Sequence, residues 1–178
     1  MLGADSMASR GCEYHELDEP KVWANRGTMM ARDWTLFGAC GTPRAIQIAK
    51  YGVEPPSPDG ACGPVEVLYR WANAFRAVCK DLGYGLDGKD DDGVDFLVGF
   101  RGRWYEIQSR GGIVTHPGLY ASTGCGGPEA RAAMFALLAY SETEREPQAL
   151  VQAALDASSA VNVHVRAPFN YVEMKVSD

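Results

Sequence analysis

The sequence predicts an α+β fold in which two antiparallel sheets pack together and a pair of helices covers the outer face of each sheet. The predicted helices occur as adjacent pairs between groups of hairpin-joined strands, an order that favours antiparallel sheets over a doubly wound parallel sheet. The segment 94–100 is nearly all apolar, as in a strand that is buried on both faces. Two packed sheets, each with a helical cover, account for both observations.

Length and composition indicate an ordinary soluble globular protein. The 178 residues are most simply one domain, 1–178, with 46% hydrophobic and 22% charged residues. The net charge of −6 argues against a nucleic-acid partner. The sequence has neither an apolar run of membrane-spanning length nor a secretory signal, so we expect a cytoplasmic protein without a membrane partner.

The cysteines and histidines show no pattern typical of a disulfide framework or of a zinc site. The five cysteines are odd in number and widely spaced, and no two have Cys-x-x-Cys spacing. The three histidines lie far apart. We therefore predict neither a metal nor a cofactor. The residues are Cys12, Cys40, Cys62, Cys79, Cys125, His15, His116 and His164.

The first half of the chain predicts short strands followed by two helices. Residues 1–6 resemble the end of a strand, and strands are expected at 21–24 and 34–39. A turn is expected at 25–27, a helix at 43–51 and a Pro/Gly-rich loop at 55–64. The clearest helix is 65–82, because its apolar residues recur at i, i+3, i+4 and i+7. These are Leu68, Trp71, Ala72, Phe75, Val78, Cys79 and Leu82.

The second half predicts a hairpin, further strands and two more helices. The acidic stretch 87–93 lacks EF-hand spacing and is interpreted as a solvated turn. Strands are expected at 94–100 and 103–109, then at 119–123, 161–165 and 170–176. Helices are expected after Pro128 and over residues 147–160.

A glycine-rich turn, Gly124-Cys125-Gly126-Gly127, precedes the helix that follows Pro128. One interpretation is a structural connection in a packed domain. The other is that free backbone N–H groups at the start of a helix border a functional site. The turn alone leaves both open.

Several local features together resemble one family. Asp5-Ser6 is followed by Lys21, 16 residues after the aspartate, and a strand then leads into Phe37-Gly38-Ala39-Cys40-Gly41. Downstream, the segment 96–105 precedes the glycine-rich turn and its helix. This arrangement resembles the proteasome β-subunit and HslV-type peptidases of the N-terminal nucleophile (Ntn) hydrolase superfamily. It is most similar to small proteasome-like proteins of actinobacteria and their phages.

The resemblance implies a four-layer αββα sandwich and amide-bond hydrolysis by a nucleophile at the mature N-terminus. In such a threonine-type peptidase the free α-amine serves as base, a lysine and an aspartate support it, and a backbone N–H stabilises the oxyanion. By resemblance, Lys21 and Asp5 are that pair, Gly38 is the oxyanion glycine, and Cys125 occupies the place of a serine beside the nucleophile. A further polar site residue is expected near Asn162.

The resemblance places the nucleophile on a first strand about a dozen residues before Met1, and this sequence lacks that strand. Our first hypothesis is a peptidase whose nucleophile strand is missing from the recorded chain. The alternative is a catalytically inactive structural subunit of a proteasome-like ring. Cleavage before Cys12 would expose an N-terminal cysteine but discard Asp5, and a cysteine hydrolase using Cys125 is a further hypothesis.

The partners expected from the resemblance are a peptide or unfolded protein as substrate, further copies of the chain in a ring, and an unfoldase. Ring formation would bury part of the helical layers. The sequence does not distinguish such surfaces from ordinary exposed helix faces.

Overall fold

The computed structural model describes residues 1–10, 13–26, 34–56, 62–85, 93–141 and 145–173. The elements in chain order are β1 (Leu2–Asp5), β2 (Met7–Arg10), β3 (Glu13–Glu16), β4 (Val22–Arg26), β5 (Trp34–Gly41), α1 (Pro43–Tyr51), α2 (Pro64–Asp81), β6 (Val94–Phe100), β7 (Arg103–Ile107), β8 (Ile113–His116), α3 (Gly127–Tyr140), α4 (Pro147–Val161) and β9 (Phe169–Val172). The predicted α+β class with paired helices is confirmed.

The main sheet has five antiparallel strands in the order β4-β5-β6-β7-β8. Its centre is the pair β5 and β6, with Phe37 opposite Val98. A second, smaller sheet joins β1 to β9, with Leu2 opposite Val172 and Asp5 opposite Phe169. The hairpin β2-β3 forms a separate ladder.

One face of the main sheet is covered by α1 and α2. The helix α2 begins after Gly63, with Pro64 in its first turn, and buries the stripe that its periodicity predicted. Trp71 lies at the centre, with its ring centroid 4.9 Å from that of Phe37 and 5.2 Å from that of Phe96. Leu82 was assigned to this stripe, but it is 52% exposed because the helix ends at Asp81.

The other face of the main sheet packs on the small sheet. Leu2 of β1 and Val22, Leu36 and Leu97 of the main sheet form one buried cluster between the two sheets. Outside the small sheet, α3 and α4 pack together through Ala130, Met134 and Ala154, and α4 contacts β1. The layers are therefore helices, sheet, sheet, helices, which is the four-layer αββα sandwich.

The structure corrects several predicted strands. Residues 119–123 are irregular, and β8 lies earlier, at Ile113–His116, where it pairs with β7. Residues 161–165 are not a strand, because α4 continues to Val161 and the Asn162 backbone N–H still bonds to the Ser158 carbonyl. The last strand is Phe169–Val172, and three of its four residues lie inside the predicted range 170–176, which continues past the described residues.

Three strands were not predicted at all, namely β2, β3 and β8. Two are segments of four residues in the short hairpin, and their alternation is too brief to give a pattern. The predicted turn 25–27 lies partly, and the acidic stretch 87–93 almost wholly, outside the described residues. The cleavage point between Gly11 and Cys12 also lies outside them, as does part of the loop 55–64.

Candidate active site

A cavity of about 490 Å³ lies between the two sheets and the helices α3 and α4. The whole of β1, with Met1, forms one wall, and the irregular segment 119–126 lies on the cavity too. Its walls are mainly apolar, with polar groups gathered where β1 ends. The small and polar residues that line the cavity include Asp5, Lys21, Gly38, Cys40, Ser122 and Cys125.

Lys21 and Asp5 form an ion pair on this cavity. The Lys21 Nζ lies 2.9 Å from the Asp5 Oδ1, and the two side chains are 11% and 15% exposed. The second carboxylate oxygen of Asp5 accepts a hydrogen bond of 3.1 Å from the Met7 backbone N–H. The carboxylate is therefore bonded through both oxygens, and it holds the ammonium group at a fixed point of the wall.

The pair is positioned by strands of both sheets. Asp5 is the last residue of β1, and Ser6, which follows it, is buried and hydrogen-bonded to the Asn170 side chain of β9. Lys21 directly precedes β4, and its carbonyl accepts a 3.0 Å bond from the Ala39 N–H of β5. The distance between ammonium and carboxylate is thus set by the packing of the sheets.

Gly38 lies in the middle of β5 and lines the same cavity. A Cβ at this position would lie 3.1 Å from a methyl carbon of Leu2, so the glycine allows β1 to approach β5 closely. Because the neighbouring Ala39 N–H points toward β4, the alternation of an antiparallel ladder directs the Gly38 N–H toward β6. An oxyanion could accept from this N–H only if the ladder opened locally.

The glycine-rich turn is held by three polar side chains. The Ser122 hydroxyl donates to the Gly127 carbonyl at 2.6 Å, and the Ser158 hydroxyl of α4 donates to the Gly126 carbonyl at 2.9 Å. The Asn162 amide donates to the Cys125 carbonyl at 2.9 Å. These bonds fix the exposed Cys125 at the mouth of the cavity. A polar site residue was expected near Asn162, and the Asn162 side chain contacts the backbone of the turn.

Cys40 also lies in the site, although no pattern in the sequence points to it. Its thiol lies against Gly124, where an added Cβ would be 2.8 Å from the Sγ. Burial raises the pKa of the Cys40 thiol above its ordinary value of 9.0, and the nearby Cys125 thiol raises it further. The Lys21 ammonium and the Cys125 backbone N–H act in the opposite direction and lower this pKa.

All four predicted site residues, Lys21, Asp5, Gly38 and Cys125, line this one cavity. Cys40, Ser122 and Ser158 also line it and were not predicted from the sequence. The two serines are buried beside apolar residues. A buried serine indicates a hydrogen bond, but the sequence does not show which group is its partner. The partners become visible only when α4 is placed beside the turn.

Within the described ranges, no group of His, Cys, Asp and Glu side chains is arranged to hold a metal ion. None of the helices that the structure describes is long and apolar enough to cross a membrane.

Comparisons with known proteins identify the fold. No family model and no curated protein matches the sequence. Among solved structures, BPH from Thiobacillus denitrificans in complex with epoxomicin superposes with a TM-score of 0.76 at 17% identity, covering 99% of this chain and 92% of that one. HslV from Trypanosoma brucei gives 0.69 at 15% identity, over 94% and 88% of the two chains. Anbu from Yersinia bercovieri gives 0.62 at 12%, over 94% and 73%.

These neighbours are HslV- and proteasome-like proteins, and the chain has their Ntn-type αββα fold. At such low identity the likeness concerns the fold, and the chemistry has to be argued from the cavity and its residues.

Proposed function

We propose that this protein is a proteasome-like peptidase of the threonine type, which hydrolyses amide bonds with an N-terminal nucleophile. The observation that carries the proposal is the Lys21–Asp5 pair, which is largely buried at the end of the cavity that runs along β1. A fixed ammonium group lowers the pKa of a neighbouring acid and stabilises negative charge that develops beside it. These are the two contributions that a hydroxyl nucleophile with an amine base requires.

The free edge of β1 supports a nucleophile strand that precedes Met1. In the described part of the chain, β1 pairs on one edge with β9 and with no strand on its other edge. One face of β1 packs on the main sheet and the other on α4, so the cavity borders the remaining edge. An unpaired edge carries backbone N–H and C=O groups that another strand can satisfy. A strand laid there would bring its residues alongside the Lys21–Asp5 pair.

The substrate we propose is a peptide or an unfolded protein in extended form. The mainly apolar wall beside the ion pair suits side chains of such a segment. In the proposed reaction the nucleophile attacks the scissile carbonyl, the amine base takes its proton, and the Lys21 ammonium stabilises the charged groups around them. Cys125, fixed at the cavity mouth, borders the reacting atoms in this proposal.

The decisive experiment determines the intact mass and the N-terminal residue of the protein expressed from its native locus with the upstream region included. We expect a product that begins with Thr, Ser or Cys about a dozen residues before Met1 and that cleaves fluorogenic peptides. In that product Lys21→Met should lower kcat/KM by about 10²–10⁴-fold. Lys50→Met is the matched control, because Lys50 pairs with Glu19 at 3.5 Å and does not line the cavity.

A product that begins at Met1, has the 19.3 kDa mass of this chain and cleaves no peptide would contradict the peptidase. It would favour the alternative, an inactive structural subunit of a proteasome-like ring. A cysteine hydrolase is distinguished by iodoacetamide, since turnover that requires Cys125 should end when this exposed thiol is alkylated.

Both the peptidase and the inactive structural subunit are expected to self-associate into a ring. The helix α3 is apolar around most of its circumference, and Phe135, Leu138 and Tyr140 are 55%, 45% and 79% exposed. Exposed apolar side chains clustered on one helix are typical of a surface that another chain covers. An Anbu structure from Pseudomonas aeruginosa is described as a helical assembly. The unfoldase partner, the cytoplasmic location, the single domain over 1–178 and the link to actinobacteria and phages stay predictions.

A further inference from the structure

Two thiols share the mouth of the cavity although they are 85 positions apart in the sequence. Cys40 is the last but one residue of β5 and lines the cavity, and Cys125 is the exposed residue of the glycine-rich turn. The Cys40 Sγ lies against Gly124, the residue before Cys125, at 2.8 Å from the position that a Cβ would occupy. Gly124 has a φ of +84°, so a side chain is disfavoured at this position on backbone grounds as well.

The contact between Cys40 and the turn involves Cys125 as well as Gly124. The Cys125 thiol raises the pKa of the Cys40 thiol and the Cys125 backbone N–H lowers it, so both groups lie near the Cys40 sulfur. Cys125 directly follows the glycine that this sulfur contacts, and both cysteines line the same cavity. Disulfide formation then requires the side chain of Cys125 to turn toward Cys40.

We propose that Cys40 and Cys125 form a peroxide-sensitive thiol pair that closes into a reversible disulfide across the mouth of the cavity. Its co-reactant is a hydroperoxide. The formation of the disulfide stands on the geometry of the two thiols alone, whereas its effect on turnover rests on the proposed function.

The chemistry assigns different roles to the two thiols. The exposed Cys125 reacts first: its thiolate attacks the peroxide, the O–O bond breaks, and Cys125 becomes a sulfenic acid while the peroxide leaves as an alcohol or as water. The Cys40 thiol then attacks that sulfur, forms the S–S bond and releases water. Two thiols and one peroxide thus give one disulfide, one water and one alcohol or second water.

The environment of Cys40 suits the second step. Partial burial slows the direct reaction of this thiol with peroxide, because burial raises its pKa and thiolates are the reactive species. The Lys21 ammonium and the Cys125 backbone N–H lower the pKa of Cys40 and so stabilise its thiolate when the sulfenic acid forms beside it. In a reducing cytoplasm the disulfide would be transient and would reopen with thiol reductants.

The disulfide would also alter the proposed site. It would tie β5 to the glycine-rich turn beside the Lys21–Asp5 pair and draw the Cys125 sulfur from its exposed position toward Cys40. We expect reversible loss of peptide turnover in the oxidised protein.

The experiment treats the whole chain with hydrogen peroxide, alkylates the remaining thiols after unfolding, and maps the peptides by mass. We expect one linked Cys40–Cys125 peptide pair, a mass loss of about 2 Da, and recovery of both thiols with dithiothreitol. Cys125→Ser should leave Cys40 reduced, and Cys40→Ser should drive Cys125 on to the sulfinic acid. Cys62→Ser is the control, since Cys62 is described but does not line the cavity, and it should leave the linked pair unchanged.

Wild-type protein in which Cys125 carries sulfinic acid while Cys40 is still alkylated would overturn the inference, as would a link that involves another cysteine. The mass readout needs no turnover, so the two proposals fail separately. Reduced protein made from the native locus with its upstream region, if it forms the Cys40–Cys125 link but has no peptidase activity, would contradict the proposed function alone. Active protein without the link would contradict the thiol pair alone.

Discussion

The glycine-rich turn gives the most direct test of the described site, through the substitution Gly126→Ala. An added Cβ would lie 2.5 Å from the Cγ2 of Val165 and 3.2 Å from the Cβ of Ser158. The φ of Gly126 is −89°, a value that alanine adopts without strain. The effect of the substitution should therefore come from packing, and not from the backbone conformation.

The cost follows from the size of the overlap. Carbon atoms in contact lie about 3.5–4.0 Å apart, so Val165 must move by about 1 Å. Overpacking of this kind costs about 1–3 kcal/mol. Displacing Ser158 also weakens its hydrogen bond to the Gly126 carbonyl, which contributes about 1 kcal/mol. We expect Gly126→Ala to lower the free energy of unfolding by about 2–4 kcal/mol.

Urea denaturation followed by circular dichroism measures this change. With an m-value of about 2 kcal/mol/M, the midpoint should fall by about 1–2 M. The matched control is Gly63→Ala, because Gly63 also precedes a helix with proline in its first turn but has no atom within 4 Å of the added Cβ. Both substitutions include the difference between glycine and alanine at a helix N-cap, so their difference isolates the packing. Equal midpoints for the two variants would refute the reasoning.

Two further predictions concern the exposed face of α3 and the partly buried thiol of Cys40. Phe135→Ser should lower the assembly mass measured by light scattering while changing the unfolding free energy by about 0.5 kcal/mol or less. Tyr69→Ser is the control, since both side chains are 55% exposed. An unchanged assembly mass for Phe135→Ser would contradict the proposed surface. Because burial raises the pKa of Cys40, its contribution to stability is complete below the ordinary pKa of 9.0 and is lost as the pH rises toward the folded value. Urea midpoints under reducing conditions should therefore fall less between pH 7 and pH 10 in Cys40→Ala than in the wild type, and equal decreases would contradict this assignment.

The helices were predicted well because each has a local signal that does not depend on the rest of the chain. Pro43–Tyr51 and Pro64–Asp81 each begin at a proline, and the second carries an apolar stripe from Val67 to Cys79, about three and a half turns. Such periodicity records which face is buried. It does not indicate at which residue the buried stripe ends. For this reason the pattern predicts Leu82 in the core, although Leu82 is exposed.

The predicted strand at 119–123 shows why irregular segments near a site are misjudged. Its residues are mostly small or apolar, which resembles a short strand, but the backbone is held by other partners. The Leu119 carbonyl accepts a 3.2 Å bond from the Trp104 indole, and the Ser122 side chain bonds to the Gly127 carbonyl. Side-chain bonds of this kind compete with a ladder, and a sequence pattern does not reveal them.

Some contacts of the site could be predicted from the sequence, and others could not. The family resemblance implied that Asp5 and Lys21 form a pair, and the structure joins the two side chains at 2.9 Å. The contact between Cys40 and the turn at Gly124 has no counterpart in the sequence, because it depends on how the end of β5 meets the turn before α3.

The free edge of β1 connects these observations. Since β1 is packed on both faces but paired on one edge within the described residues, its remaining hydrogen-bonding groups face the cavity. The ion pair lies at one end of that edge, and the two thiols line the same cavity. A strand added along β1 and a disulfide across the mouth would therefore act on the same space. Oxidation and occupancy of this cavity should be coupled, so that each changes the rate or the affinity of the other.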